Sequence, residues 1–294
     1  MKMARLLCGL AFAFLALTAG AQAPRTDNPA LWKVSGPQGS LYLFGSFHLL
    51  PPDVAWRTPA VARALEEAGT LVFETDVAGA NEEKTMQPLM VKYGLLPAGQ
   101  TLRGILPEKT NAELERAATE LGLPPEALAP MRPWLAGMVL GVQFVIKQGY
   151  DPAKGVEQQV IAWAKQNGKA LATLESIESQ LRIFADLTRE QEVDLLTVSL
   201  REIRETPAAL AEMLAAYRTG DQAALEKTLN AGFDGLPALR QRILGDRHRK
   251  WLPRIEKMIA DGGGCVIIVG AAHLVGRDGL IALLRAQGYK VEGP

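Results

Sequence analysis

Two histidines in this chain stand three residues past a glycine that ends an apolar run. Leu41-Tyr42-Leu43-Phe44 leads to Gly45 and then His48. Cys265-Val266-Ile267-Ile268-Val269 leads to Gly270 and then His273. An aspartate follows each histidine at the same offset, Asp53 in the first case and Asp278 in the second. The chain holds 3 histidines, so most of them share this setting. Imidazole carries protons near neutral pH and ligates divalent metals. A strand end holds such a group in fixed geometry, and the glycine permits a sharp turn and close approach of another group. One histidine alone would read as a core or turn residue with its hydrogen bond satisfied. The repeated Gly-x-x-His favours a site, because perturbed ionisable groups gather at functional sites.

Carboxylates leave strand ends in the same way. Leu71-Val72-Phe73 runs into Glu74, and the segment from Lys169 to Leu174 runs into Glu175. Two imidazoles and a carboxylate suit a catalytic divalent ion that keeps one position open for water. Such an ion brings the pKa of its water toward neutrality, and a further carboxylate takes the proton. The expected ligands are His48, Glu74 and His273, with Glu74 or Glu175 moving the proton. Asp76 either faces the same way as Glu74 or caps a helix. Glu175, with Glu178 three residues on, is alternatively a solvated acid at a helix start. Arg247 and His248 lie in the charged run Asp246 to Trp251, a pattern that usually marks a solvated helix face. Placed in the site, Arg247 would hold a substrate carbonyl or carboxylate, bidentate where geometry allows.

Other chemistries find less support. The chain has no His-Glu-x-x-His, no Gly-x-Ser-x-Gly and no Walker loop. Gly262-Gly263-Gly264 precedes a strand instead of a helix N-terminus, which is the wrong order for a phosphate cradle. Ser46 has no elbow sequence around it, and a Ser/His/Asp triad using it stays an open alternative. Cys265 sits within a buried strand and is expected to pack, not to attack.

The elements that position these groups are marked by periodicity and punctuation. Residues 31–46 predict a hairpin around Gly36-Pro37-Gln38-Gly39. Thr58 and Pro59 open a helix that Gly69 ends, before the strand at 71–73. From about 80 to 170 the period is helical, with helices at 82–93, 108–121 and 133–148 and another starting at Gly155-Val156-Glu157. The third is nearly all apolar but too short and too broken by Gly137 and Gly141 to span a bilayer, so a core helix is expected. A strand at 169–174, helices at 176–186, 189–203, 207–217 and 221–230, and a long helix at 238–260 come next. A strand at 265–269, a helix at 277–287 and a strand at 289–292 close the chain. The expected fold is mixed α/β: a central sheet from two pseudo-repeated halves, with a largely helical middle.

The 294 residues are 48% hydrophobic, enough to bury a large core. Basic and acidic residues balance at 32 each, which gives no case for nucleic acid or an anionic membrane as partner. Residues 1–21 carry the pattern of an export signal: Lys2 and Arg5, an apolar stretch from Leu6 to Leu17, and small residues before a cut after Ala21 or Ala23. The apolar stretch is too short for an ordinary spanning helix. Its removal takes Cys8 with it and leaves Cys265 without an internal disulfide partner. The protein is therefore expected to be periplasmic or secreted, with one domain over residues 27–294 and no stable membrane span.

The stretches GSFH at 45–48, VFETD at 72–76, GDRHRKW at 245–251 and VIIVGAAHLVGRDGL at 266–280 resemble the TraB/GumN family. That family is related to the Tiki-type metalloproteases and, more distantly in fold, to erythromycin-esterase-like and ChaN-like proteins. The likeness covers nearly the whole mature chain, and the paired Gly-x-x-His motifs are its most specific part. It implies a metal-dependent hydrolase site with His48, Glu74 and His273 as ligands, manganese, cobalt or zinc as the ion, and a peptide or protein as substrate. The family more often has asparagine where this chain has His248. The alternative is a periplasmic binding or interaction protein that uses the same cleft without turnover. Metal or haem handling is implied only by the distant ChaN-like likeness.

Overall fold

Six strands form one sheet in the order β4-β3-β5-β2-β1-β6. They are β1 (Leu31–Ser35), β2 (Ser40–Ser46), β3 (Thr70–Phe73), β4 (Ala170–Thr173), β5 (Gly263–Gly270) and β6 (Lys290–Glu292). The computed structural model describes residues 27–76, 82–205, 207–233 and 235–294. The export signal expected at residues 1–21 lies outside the described residues.

The two Gly-x-x-His strands are direct neighbours. β2 pairs with β5 in parallel, with Phe44 opposite Ile268 and Ser46 opposite Gly270. β3 lies parallel to β5 on its other side and parallel to β4. β1 is antiparallel to both β2 and β6. Four strands therefore end at one edge of the sheet. In open α/β sheets that edge is where ligands bind. The expected hairpin at 31–46 is present and closes with Gly36 N–H donating to the Gly39 carbonyl at 2.9 Å.

Parallel strands need cover on both faces, and β5 shows the consequence. Its apolar residues run without alternation because both faces are buried. Cys265, Ile267 and Val269 pack with Trp251, Ile255 and Ile259 of the helix Asp246–Ala260. Val266 and Ile268 pack on the other face with Val61 and Leu65 of the helix Pro59–Glu67 and Val160 of the helix Val156–Gln166. Thr58 caps the first of these as expected, accepting from Val61 N–H at 3.3 Å. The triple glycine leads from a turn at Gly262 into the start of β5: Gly262, Gly263 and Gly264 all have positive φ, and a Cβ on Gly263 would lie 2.1 Å from the Ser40 carbonyl oxygen. Only glycine satisfies both demands.

A second, helical core sits beside the sheet. Leu114 and Ala118, Ala136 and Leu140, and Leu196 and Leu200 join the helices Glu108–Leu121, Pro133–Lys147 and Arg189–Glu205. The apolar helix is thus a core helix, with Met138, Val142 and Ile146 facing outward. No helix among the described residues is long and apolar enough to cross a membrane.

The helix expected at 238–260 differs in one respect. It runs as Pro237–Arg240, one π-helical turn at Gln241–Gly245, and then Asp246–Ala260. The wide turn holds an extra residue and rotates the helix beyond it, a distortion that periodicity does not reveal. Beyond it Arg247 and His248 are buried, on the same face as Trp251, Ile255 and Ile259. They do not form the solvated face that their charged neighbours suggested.

Ile267 is 0% exposed at the centre of the sheet. Ile267→Ala should lower unfolding stability by about 2–5 kcal/mol and Ile267→Val by about 0.5–1.5 kcal/mol, read from urea midpoints.

Candidate active site

The two Gly-x-x-His loops touch where they leave the sheet. A Cβ on Gly45 would come within 3.3 Å of Ala271, and the Tyr217 hydroxyl donates to the Gly45 carbonyl at 3.2 Å. The helix Val156–Gln166 starts against the first loop. Val156 N–H donates to the Phe47 carbonyl at 3.0 Å, and a Cβ on Gly155 would lie 2.0 Å from the His48 carbonyl oxygen. Glycine at 155 is what lets the helix begin this close, and the helix then delivers Glu157 in its first turn.

His48 Nδ1 lies 3.0 Å from Glu157 Oε1, and the Ser46 hydroxyl donates to the same oxygen. The charge of Glu157 and the hydrogen bond to it raise the His48 pKa to about 9, against a smaller lowering by burial. The ring is 67% exposed, so solvent screens part of that effect. Glu157 Oε2 is buried and has no hydrogen-bond partner. Ser46 gives its proton to a carboxylate and not to an imidazole, so this is not the relay of a serine triad.

The second loop is a 3-10 turn, Ala271–His273, and it buries its histidine. Glu74, Glu175, Arg247 and His273 meet there. The Arg247 guanidinium binds Glu74 through Nη2 and Glu175 through Nε at 2.9 Å and Nη2 at 2.6 Å. Its Nη1 lies 2.9 Å from His273 Nε2. Glu74 also accepts from Gly270 N–H at 2.6 Å and from Gln180 Nε2 at 3.1 Å. His248 Nε2 is 2.9 Å from His273 Nδ1, and His248 Nδ1 is 2.8 Å from the Asp278 carbonyl. Trp251, four residues after Arg247 and so on the same helical face, lies under the guanidinium at 4.4 Å.

Electrostatics sort these groups. Burial pushes the Glu74 carboxyl up, but His273 when charged, Arg247 and Gly270 N–H outweigh it and hold the pKa at about 2. At neutral pH His273 carries no charge, so Arg247 and Gly270 hold it down. Burial, opposed by Glu74, takes His273 down to about 3. Burial lowers His248 and raises Glu175. Burial also pushes Cys265 to about 11, in keeping with a packing role.

The structure brings the strand-end residues singled out in the sequence to one edge of the sheet, together with others that were not. Glu74, Glu175, Arg247 and His273 are in direct contact. His48 stands beside them, bonded to Glu157. Asp76 is exposed. Asp53 and Asp278 pair with Arg218 at 2.7 Å and Arg240 at 2.9 Å and anchor their loops. The roles of buried Glu157 and His248 and of half-buried Gln180 were missed. A first-turn acid such as Glu157 looks like a helix-dipole partner, and only the unusual Gly155 before it hinted at close packing. A cavity of about 420 Å³ opens beside this cluster and is lined by Glu175, Ser179, Arg182, Arg242, Arg247 and Lys250.

Among the described residues, no three His, Cys, Asp or Glu side chains already stand as a metal-binding group. Arg247 takes the position of the cation for Glu74, Glu175 and His273. The donor types still fit a divalent ion: two imidazoles, nearby carboxylates, and Glu157 Oε2, a buried anionic oxygen with no donor. An ion at His273 Nε2 requires the guanidinium to shift.

Comparison with known proteins bears on the whole of this arrangement. The model of the TraB/PrgY/gumN family matches residues 30–293. The uncharacterized protein YbaP of Escherichia coli (strain K12) is 25% identical over 244 residues, 83% of this chain and 87% of that protein. An uncharacterized protein of Treponema pallidum (strain Nichols) is 22% identical over 272 residues, 87% of this chain and 80% of that protein. No solved structure matches.

Acid should weaken the metal-free protein in a defined way. The His273 pKa falls from 6.5 to about 3 on folding, so the unfolded chain binds the extra proton and stability declines as pH drops from 6.5 toward 3. Glu74, depressed from 4.5 to about 2, adds a further loss as pH drops below 4.5. His48, raised to about 9, contributes in the opposite direction, fully below 6.5 and lost as pH rises through 9. Urea midpoints of chelator-treated protein should fall steadily below pH 6.5, and His273→Gln should flatten the part between 6.5 and 4.5.

Proposed function

This chain belongs to the TraB/PrgY/gumN family, and on that premise we propose that it is an exported, metal-dependent hydrolase that acts on a peptide or protein. The observation that carries the proposal is the meeting of the two Gly-x-x-His loops with two strand-end glutamates at one edge of the sheet. His48, Glu74 and His273 would hold the ion, which when bound supplies a water acidic enough to attack an amide near neutral pH. His273 suits that duty because its ring is uncharged at neutral pH. Glu175, whose carboxyl burial raises, stands on the cavity wall and is the group to accept and return a proton. Arg247, released from part of its carboxylate contact, would orient the carbonyl of the substrate. The cavity beside it, walled by Glu175, Arg182, Arg242 and Lys250, would receive the segment next to that carbonyl. Export rests on residues 1–21, whose pattern is that of a signal peptide.

One observation favours a second reading, a binding protein without turnover. Arg247 already meets Glu74, Glu175 and His273, so these groups are satisfied with no ion present.

Metal content separates the two. The mature chain, purified without chelator and dialysed against manganese, cobalt and zinc in turn, should hold about one ion per chain by elemental mass spectrometry. The His48→Ala/His273→Ala protein should hold none, and peptide hydrolysis by the wild type should stop with chelator. A folded wild type that takes up no ion would leave the binding protein as the function.

A further inference from the structure

The hydrogen bonds around His273 fix where its proton sits. Arginine only donates, and a main-chain carbonyl only accepts. Arg247 Nη1 lies 2.9 Å from His273 Nε2, so that nitrogen is an acceptor and bears no proton. The proton of the neutral ring is then on Nδ1, 2.9 Å from His248 Nε2, which must accept it. The proton of His248 sits in turn on its own Nδ1, 2.8 Å from the Asp278 carbonyl. Each end of this chain of hydrogen bonds has a single possible role, so both tautomers are set by geometry.

The same groups are held rigid. His248 is buried, and its ring meets that of His273 edge to face, with centroids 5.1 Å apart at 73°. Trp251 packs against His273 at 4.7 Å. The Asp278 side chain is tied to Arg240 at 2.9 Å, which anchors the loop that offers the terminal carbonyl. The other motif histidine shows the same plan, since His48 has its Nδ1 on Glu157 and leaves Nε2 free of that contact. Partners that fix the tautomer and angle of a functional imidazole are a general requirement of sites that use its second nitrogen.

We propose that His248 is a positioning residue, which accepts the Nδ1 proton of His273 and so, with Arg247 donating from the other side, keeps the Nε2 lone pair directed at Arg247. The use of that lone pair rests on the hydrolase reading above. The tautomer itself is measurable without metal or substrate.

The test is long-range ¹H–¹⁵N correlation of the histidine rings at neutral pH in ¹⁵N-labelled, metal-free mature protein. There are 3 histidines, and single substitutions assign each ring. Wild-type His273 should show a protonated Nδ1 and a bare Nε2. His248→Gln, whose side-chain oxygen accepts the same proton, should keep that pattern. His248→Leu, with no acceptor, should move His273 wholly or partly to the Nε2–H form while the near-ultraviolet signal of the tryptophans persists. A wild-type His273 protonated on Nε2 would overturn the proposal, and so would an unchanged tautomer in folded His248→Leu. If His248→Leu does not fold, the wild type and His248→Gln decide: retention of the bare Nε2 in both supports the proposal, and loss of it in either overturns it. Absence of bound metal would remove the hydrolase reading and leave this result standing.

Discussion

A single buried cation organises this structure. The Arg247 guanidinium has almost no exposure to water and sits between Glu74 and Glu175, with His273 on a third side and the Trp251 ring beneath. A buried charge is tolerable only when it is paired and hydrogen-bonded, and losing one partner of such a pair costs about 3–5 kcal/mol. The interaction joins four parts of the chain: the ends of β3 and β4, the turn after β5, and the helix beyond the π turn. Those parts cannot drift independently while the guanidinium stays buried. The same contacts help set the ionisation of the site, holding Glu74 as a carboxylate and His273 uncharged near neutral pH.

The sheet supplies the platform for that cation. Because β2, β5, β3 and β4 run parallel, their ends deliver His48, His273, Glu74 and Glu175 to one edge. β5 comes late in the chain yet lies at the centre, between β2 and β3. The site is therefore complete only when segments more than two hundred residues apart have paired. Long-range pairing of this kind is slow to form and strongly cooperative, because loop closure costs entropy before the contacts offset it.

The two motif histidines are not equivalent, although their sequences match. His273 is buried in a 3-10 turn between a histidine and an arginine. His48 lies near the surface with its Nδ1 on Glu157. One is kept neutral by burial and the other is drawn toward its charged form by a carboxylate. A site with one ring of each kind has a protected donor and an accessible one. A half-buried ion pair, Arg132 with Glu192, plays a comparable structural part in the helical core, where Arg132 also donates to the Tyr93 and Ala185 carbonyls.

Much of the architecture was legible in the sequence. Apolar runs ending in Gly45 and Gly270 marked the central strands, Thr58-Pro59 and Gly122 marked helix ends, and helical periodicity marked the middle of the chain. These are local signals, set by backbone preference and by which side chains avoid water. The sequence also determined which residue types reach the strand ends, and so the chemistry on offer. What it could not determine was who faces whom. Glu157 carries no local mark beyond Gly155 that distinguishes it from a helix-start acid, and the charges around His248 mask that it shares the apolar face of Trp251, Ile255 and Ile259. The close start of the helix Val156–Gln166 on the first loop decided the one case, and the packing of the Trp251 face on β5 decided the other. Packing alone brought a cation to the place where two imidazoles and a carboxylate had suggested a metal, because a buried carboxylate takes whichever positive charge the fold delivers to it.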